Sequence, residues 1–286
     1  DFPEPAVGLP ILTRPRRALP QASGAIDRAV REILADAIAV YEIELDRLRE
    51  VRPDVIVTQD LCDVCAVSLD DVRQALRELQ SESVEIVSLS PGRIADVWQD
   101  VRRVGAALGR QVEGERAAAD FERRLEDLGR RTAALGRRPS VLTIEWIDPV
   151  MIGGTWMPEL VQAAGGTALV TEPGQHAPTL THEQLSELDP DVVLIKPCGF
   201  DLARSATELE LLPSLLPLQG WSAWAEGRVF LADGNAYFNR PGPRLVESAE
   251  ILAACIHPGA CADLLERHRT AFRRVDRDLA LADPSA

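Results

Sequence analysis

Three cysteines carry the sharpest chemistry in this sequence. Thr58-Gln59-Asp60-Leu61-Cys62-Asp63-Val64-Cys65 is a loop with a C-x-x-C pair. Such a pair can be half of a zinc site, a redox dithiol, a clamp for a soft metal, or two packed structural thiols. Asp60 and Asp63 flank the pair, and acids beside a thiol disfavour the thiolate that redox chemistry needs. Cys198, in Pro197-Cys198-Gly199-Phe200, is the third. A lone cysteine is more often a small buried hydrophobe. If it meets Cys62 and Cys65, the three form a soft site for zinc or a thiophilic ligand.

A second group is aromatic and charged. Glu145-Trp146 and Trp156 follow a β-branched run, and Tyr237, Phe238, Arg240 and Arg244 lie in one loop. Tryptophan there is either core under the loops or the flat wall of a pocket for a large planar ligand. Arginine in such a loop holds carboxylate, phosphate or amide groups, or makes a surface ion pair of little energetic weight. So many aromatics and arginines on loops at one end of a lobe favour a pocket. No G-x-S-x-G elbow, phosphate-binding glycine loop or H-E-x-x-H is present. Glu145 is a candidate acid or base without an evident partner, so the chain is not expected to be an enzyme.

The elements that must position these residues come in two similar passages. Leu48 to Cys62 and Leu185 to Cys198 each hold a short amphipathic run, a Pro-Asp corner, a β-branched apolar run and a polar loop with a cysteine. The pattern predicts a helix feeding a buried parallel strand. The loops then lie at the strands' carboxyl ends, where open α/β sheets bind ligands. After the first copy a helix is expected over 68–80 and a strand over 84–89. After the second, a helical segment is expected over 203–216 and a strand over 228–232.

Other expected elements are a short strand at Ile11-Leu12, helices over 23–35 and 45–51, and a strand over 38–43. A helix with an apolar face from Ile94 to Leu108 stops at Gly109. A mostly polar helix runs over about 113–135 and suits a strut between two lobes. A strand is expected over 141–144 and helices over 157–164 and 245–256, followed by a charged helical tail. The domain reading is an N-terminal lobe over 1–92, a helical segment over 93–136 and a C-terminal lobe over 137–286. The fold class is α/β: two Rossmann-like lobes with parallel sheets, a long connecting helix, and a ligand cleft between the lobes.

Composition narrows the partners. The chain has 286 residues, 46% of them hydrophobic, and a net charge of −14. That length holds two domains. The acidity argues against nucleic acid. No apolar run is long enough to insert in a membrane. The opening Asp1-Phe2-Pro3-Glu4-Pro5 does not read as a signal peptide, and a processed chain would look the same. Five cysteines, an odd number, argue against a disulfide framework and towards a reducing compartment or working thiols. A monomer is expected.

With Pro53 to Cys65, Glu145-Trp146-Ile147-Asp148-Pro149, Pro197-Cys198-Gly199-Phe200 and Asn239-Arg240-Pro241-Gly242-Pro243-Arg244 in hand, the chain resembles a known family. It is similar over nearly its whole length to the helical-backbone (class III) substrate-binding proteins of ABC importers. These serve cobalamin, haem and iron–siderophore complexes, and the cobalamin-binding subgroup is the nearest. The resemblance implies a two-lobed binding protein that holds such a metal chelate, with no cofactor of its own. It implies ligand-binding roles for Gln59, Asp60, Trp146, Tyr237, Phe238 and Arg240, with Arg244 matching a loop-to-helix arginine; Glu145, Trp156 and Phe200 join the ligand-binding candidates from their own loops. Cys62, Cys65 and Cys198 are a further metal-contact expectation, with zinc as the metal. An ABC permease would meet acidic residues at Asp70 or Asp71 and at Glu208 or Glu210. The compartment implied is extracytoplasmic, the periplasm or cell surface. The free cysteines keep a cytoplasmic thiol-based metal-trafficking protein as the alternative. Family members begin with a further strand and helix, so the first lobe is expected to be short. Where studied cobalamin binders carry an aromatic residue just after the first central strand, this chain has Gln59.

Overall fold

The computed structural model describes residues 8–35, 40–60, 69–79 and 84–282. The chain divides into two compact units. One is Asp1–Pro91 with Trp98–Ala118; the other is Gly92–Val97 with Ala119–Ala286.

In the first unit, β1 (Thr13–Pro15) and β2 (Tyr41–Ile43) pair antiparallel, and α1 (Ser23–Ala35) lies between them in the chain. Val30 and Ile33 of α1 pack with Val40 in a small core. Helix α2 (Leu45–Val51) ends at Arg52 in the left-handed region (φ 48°), and its N–H caps Leu48 O at 3.1 Å. Pro53 follows and cannot continue a helix. Strand β3 (Val55–Gln59) then runs parallel to β4 (Glu85–Leu89), with α3 (Leu69–Glu78) between them in sequence. Helix α3 turns Val72, Ala75 and Leu76 inward. The expectation that β3 is covered on both faces fails. Val57 is 46% exposed, so that side chain has no cover on its face of the sheet, and among the described residues β3 pairs only with β4.

Helices α4 (Ile94–Ala107) and α5 (Gln111–Ala133) each contribute residues to both units. Gly109, at φ 66°, makes the turn between them.

The second unit is built on a sheet in the order β11-β10-β9-β8-β5-β6, with β7 also pairing β5. Its strands are β5 (Ser140–Trp146), β6 (Met151–Ile152), β7 (Thr167–Ala168), β8 (Val192–Ile195), β9 (Val229–Ala232), β10 (Phe272–Val275) and β11 (Leu281–Ala282). Strands β5, β7, β8 and β9 are parallel; β6, β10 and β11 are antiparallel. Every residue of β8 is fully buried, as an unbroken apolar run at a sheet centre requires. Helix α6 (Met157–Ala163) and the almost wholly buried α11 (Leu245–Ile256) complete the core with these strands. Helix α7 (His182–Ser186) begins with a capping box between Thr181 and Gln184.

One expectation is refined here and one is corrected. The 203–216 segment is broken into α8 (Leu202–Ala206), a 3₁₀ turn (Leu209–Leu211) and α9 (Leu212–Leu215), with Pro213 inside α9. The short helix α10 (Ser222–Ala225) precedes β9. The tail is not wholly helical. After α12 (Ala262–His268), Phe272-Arg273-Arg274-Val275 buries its two apolar ends and adds to β9 as an antiparallel strand.

Candidate functional site

Because β5, β8 and β9 are parallel, their carboxyl ends share one edge of the second unit's sheet. Glu145 and Trp146 close β5, Lys196 follows β8, and the loop Asp233 to Arg244 follows β9. Loops at this edge are where an α/β sheet can offer side chains without breaking its core.

Lys196 ties the three loops together. It is fully buried, and its Nζ donates to Glu145 Oε2 at 3.0 Å and to Asn239 Oδ1 at 2.6 Å. Asn239 returns Nδ2 to the carbonyls of Lys196 at 2.9 Å and Gly234 at 3.0 Å. A buried ammonium is tolerated only when paired and hydrogen-bonded, and this one is. Gly234 is required by the same approach: a Cβ there would lie 2.1 Å from Pro197 O.

The loop after β9 is held open by its own backbone. Phe238 is in the left-handed region at φ 65°, unusual for a bulky residue. Its N–H donates to Ser248 Oγ at 2.9 Å, and its carbonyl accepts from Trp156 Nε1 at 2.7 Å. Arg240 donates from Nε to Asn235 O and from Nη2 to Asn235 Oδ1, both at 2.7 Å, while remaining exposed. Arg244 donates to Ala236 O at 3.2 Å and stacks over the Tyr237 ring at 4.8 Å. Burial pushes the Tyr237 phenol up from its ordinary pKa, with Arg244 opposing. On the neighbouring loop Trp146 meets Phe200 edge to face at 5.4 Å, and Arg204 covers Phe200 at 3.7 Å.

The predicted residues therefore divide. Glu145, Trp146, Tyr237, Arg240 and Arg244 keep exposed or half-exposed side chains at this edge. Phe200, Phe238 and Trp156 are buried, so they lie beneath the loops and support them. Gln59 and Asp60 end β3 in the first unit, where Asp60 N–H donates to Leu89 O at 2.8 Å. Cys62 and Cys65 lie outside the described residues. Cys198 is exposed, and its N–H donates to Glu145 O at 3.0 Å. Among the described residues no group of three His, Cys, Asp or Glu could hold a metal ion. Of the two alternatives Glu208 and Glu210 for a permease contact, Glu208 is 4% exposed and Glu210 is exposed.

Sequence reasoning missed Lys196 and Asn239. The available signal was compositional. Lys196 is the sole lysine in a chain with 31 Lys and Arg together, and it stands directly after a wholly apolar strand.

Residues 25–236 match the sequence profile of the family described as periplasmic binding protein. No curated protein matches the chain by sequence. Among solved structures, a periplasmic haem-binding protein from Pseudomonas aeruginosa is 22% identical, with a TM-score of 0.61 over 86% of this chain and 82% of that one. The periplasmic haem-binding protein RhuT from Roseiflexus sp. RS-1 is 20% identical, with a TM-score of 0.61 over 77% and 81%. The periplasmic vitamin B12-binding protein BtuF of Vibrio cholerae is 17% identical, with a TM-score of 0.53 over 82% and 90%. At these identities the likeness is one of fold.

Proposed function

The chain belongs to the periplasmic binding protein family, substrate-binding proteins of transporters rather than enzymes, and from that membership we propose that it binds a metal chelate. The ligand class is a corrinoid, haem or iron–siderophore, taken up outside the cytoplasm and passed to an ABC permease. The observation that carries this reading is the strand-end edge of the second unit. There Trp146 and Tyr237 are half-exposed aromatics on the same sheet edge as Arg240 and Arg244, whose guanidinium groups are already oriented by Asn235, Ala236 and the Tyr237 ring. Aromatic faces bury a planar macrocycle, and pre-oriented arginines hold its polar edge at reduced entropic cost. Neighbours of the same fold bind haem and vitamin B12, which supports the class. Exposed Glu210 and Asp70 are the acidic groups proposed to meet the permease. Among the described residues no helix is long and apolar enough to cross a membrane.

Substitution tests the assignment. Tyr237→Ala and Arg240→Ala are each expected to weaken the bound chelate about tenfold or more, with the melting curve little changed, since both side chains reach solvent. Unchanged affinity in both variants removes this edge from the ligand site.

A further inference from the structure

We infer that Glu145 is a fixed hydrogen-bond acceptor that selects ligands edged with neutral amide groups over ligands edged with carboxylates, and that Lys196 and Asn239 are the positioning residues that hold it. The inference rests on the metal-chelate reading above and names the chemistry of the edge that the site takes.

One oxygen of Glu145 is committed inward. Oε2 accepts from Lys196 Nζ at 3.0 Å and from the Gly154 N–H at 3.4 Å. Lys196 cannot release it cheaply, because the ammonium is fully buried and Glu145 is its anionic partner. Asn239 fixes the lysine from the other side at 2.6 Å and is itself locked to two carbonyls. The second oxygen, Oε1, makes no hydrogen bond among the described residues, and the Glu145 side chain remains 25% exposed. The arrangement is a part-exposed carboxylate at the sheet edge, held through one oxygen, with the other unbonded among the described residues.

A carboxylate only accepts, and arginine only donates. Asn239 links the two on neighbouring loops, since the exposed Arg240 is the next residue in the chain. Amide groups along a ligand's edge suit both chemistries, with N–H donors for Glu145 and carbonyl acceptors for the arginines. A carboxylate satisfies the arginines but meets like charge at Glu145. An acceptor built into a site discriminates strongly, because a ligand that cannot pair leaves a desolvated charge unmatched.

A matched pair of corrinoids separates these cases. Wild type, Glu145→Gln and Asn239→Ala are titrated with dicyanocobinamide, whose ring edge carries amides, and with dicyanocobyrinic acid, whose edge carries carboxylates; haemin is titrated in parallel. Wild type is expected to bind the amide form about tenfold tighter or more. Glu145→Gln, which both donates and accepts, is expected to bring the ratio within about twofold. Asn239→Ala is expected to narrow the ratio rather than lower both affinities equally. The same ratio in wild type and Glu145→Gln overturns the selection. An equal loss for both ligands in Asn239→Ala overturns the positioning role. Binding of haemin but neither corrinoid overturns this inference and leaves the metal-chelate reading standing; binding of none of the three overturns both.

Discussion

Trp156 donates through Nε1 to the carbonyl oxygen of Phe238 at 2.7 Å, and both side chains are buried. The bond joins the start of α6 to the left-handed residue of the loop after β9. A backbone held at φ 65° by a bulky residue persists only where its surroundings over-determine it. Trp156→Phe keeps an aromatic ring but loses part of the buried volume and leaves the carbonyl without this donor. It is expected to cost about 1–3 kcal/mol in urea unfolding. Ligand affinity should fall as well, because Tyr237 and Arg240 flank the loosened residue.

Gly234→Ala tests how closely the loops after β8 and β9 must approach. A Cβ there would lie 2.1 Å from Pro197 O and 2.7 Å from Lys196 O, both backbone atoms. Neither atom can rotate away, so a loss of about 2–3 kcal/mol is expected. A variant as stable as wild type would show that the loop can shift without cost.

Lys196→Met removes one half of a buried pair and strands Asn239. Denaturant unfolding at neutral pH should show a loss of about 3 kcal/mol. Glu145→Gln keeps an oxygen acceptor for the lysine but leaves the fully buried ammonium without a counter-charge, so a comparable loss of about 3 kcal/mol is expected. A loss below about 1 kcal/mol in both variants would mean that Lys196 is not the hub of these loops.

Acid stability should follow two carboxylates far from the sheet edge. At Glu250 burial pushes the pKa up, but the hydrogen bond and charge of His268, with Arg267 and Arg124, bring it below the ordinary value. Asp263, hydrogen-bonded by Arg131, is lowered to about 2. Both folded pKa values lie below the unfolded ones, so their contribution is complete above the ordinary carboxylate range and disappears as pH falls through the folded values. The melting temperature should therefore drop between the ordinary carboxylate range and about pH 2, and Glu250→Gln should flatten part of that drop. A wild-type profile that Glu250→Gln leaves unaltered would contradict this.

Elements with a strong local pattern were legible in the sequence. Val192–Ile195 is an unbroken apolar run and forms the buried strand it predicts; the helices Leu45–Val51 and Leu245–Ile256 have the expected bounds. The repeat of helix, Pro-Asp corner and strand reappears as two parallel pairs, β3 with β4 and β8 with β9. What failed depends on distant partners. Phe272–Val275 reads as charged tail until β9 offers its edge. Phe200, Phe238 and Trp156 read as loop aromatics, and only the packing beneath the loops shows that they point inward. Lys196 had no local pattern at all, since its partners Glu145 and Asn239 are 51 and 43 residues away.

The most direct measurement is a calorimetric and absorbance titration of metal-free, reduced protein with hydroxocobalamin and with haemin. The account predicts saturable one-to-one binding of at least one of them in the micromolar range or tighter, weakened by Arg240→Ala. No binding of either, or binding that Tyr237→Ala and Arg240→Ala leave untouched, would contradict the claim that the strand-end loops of the second unit hold a metal chelate.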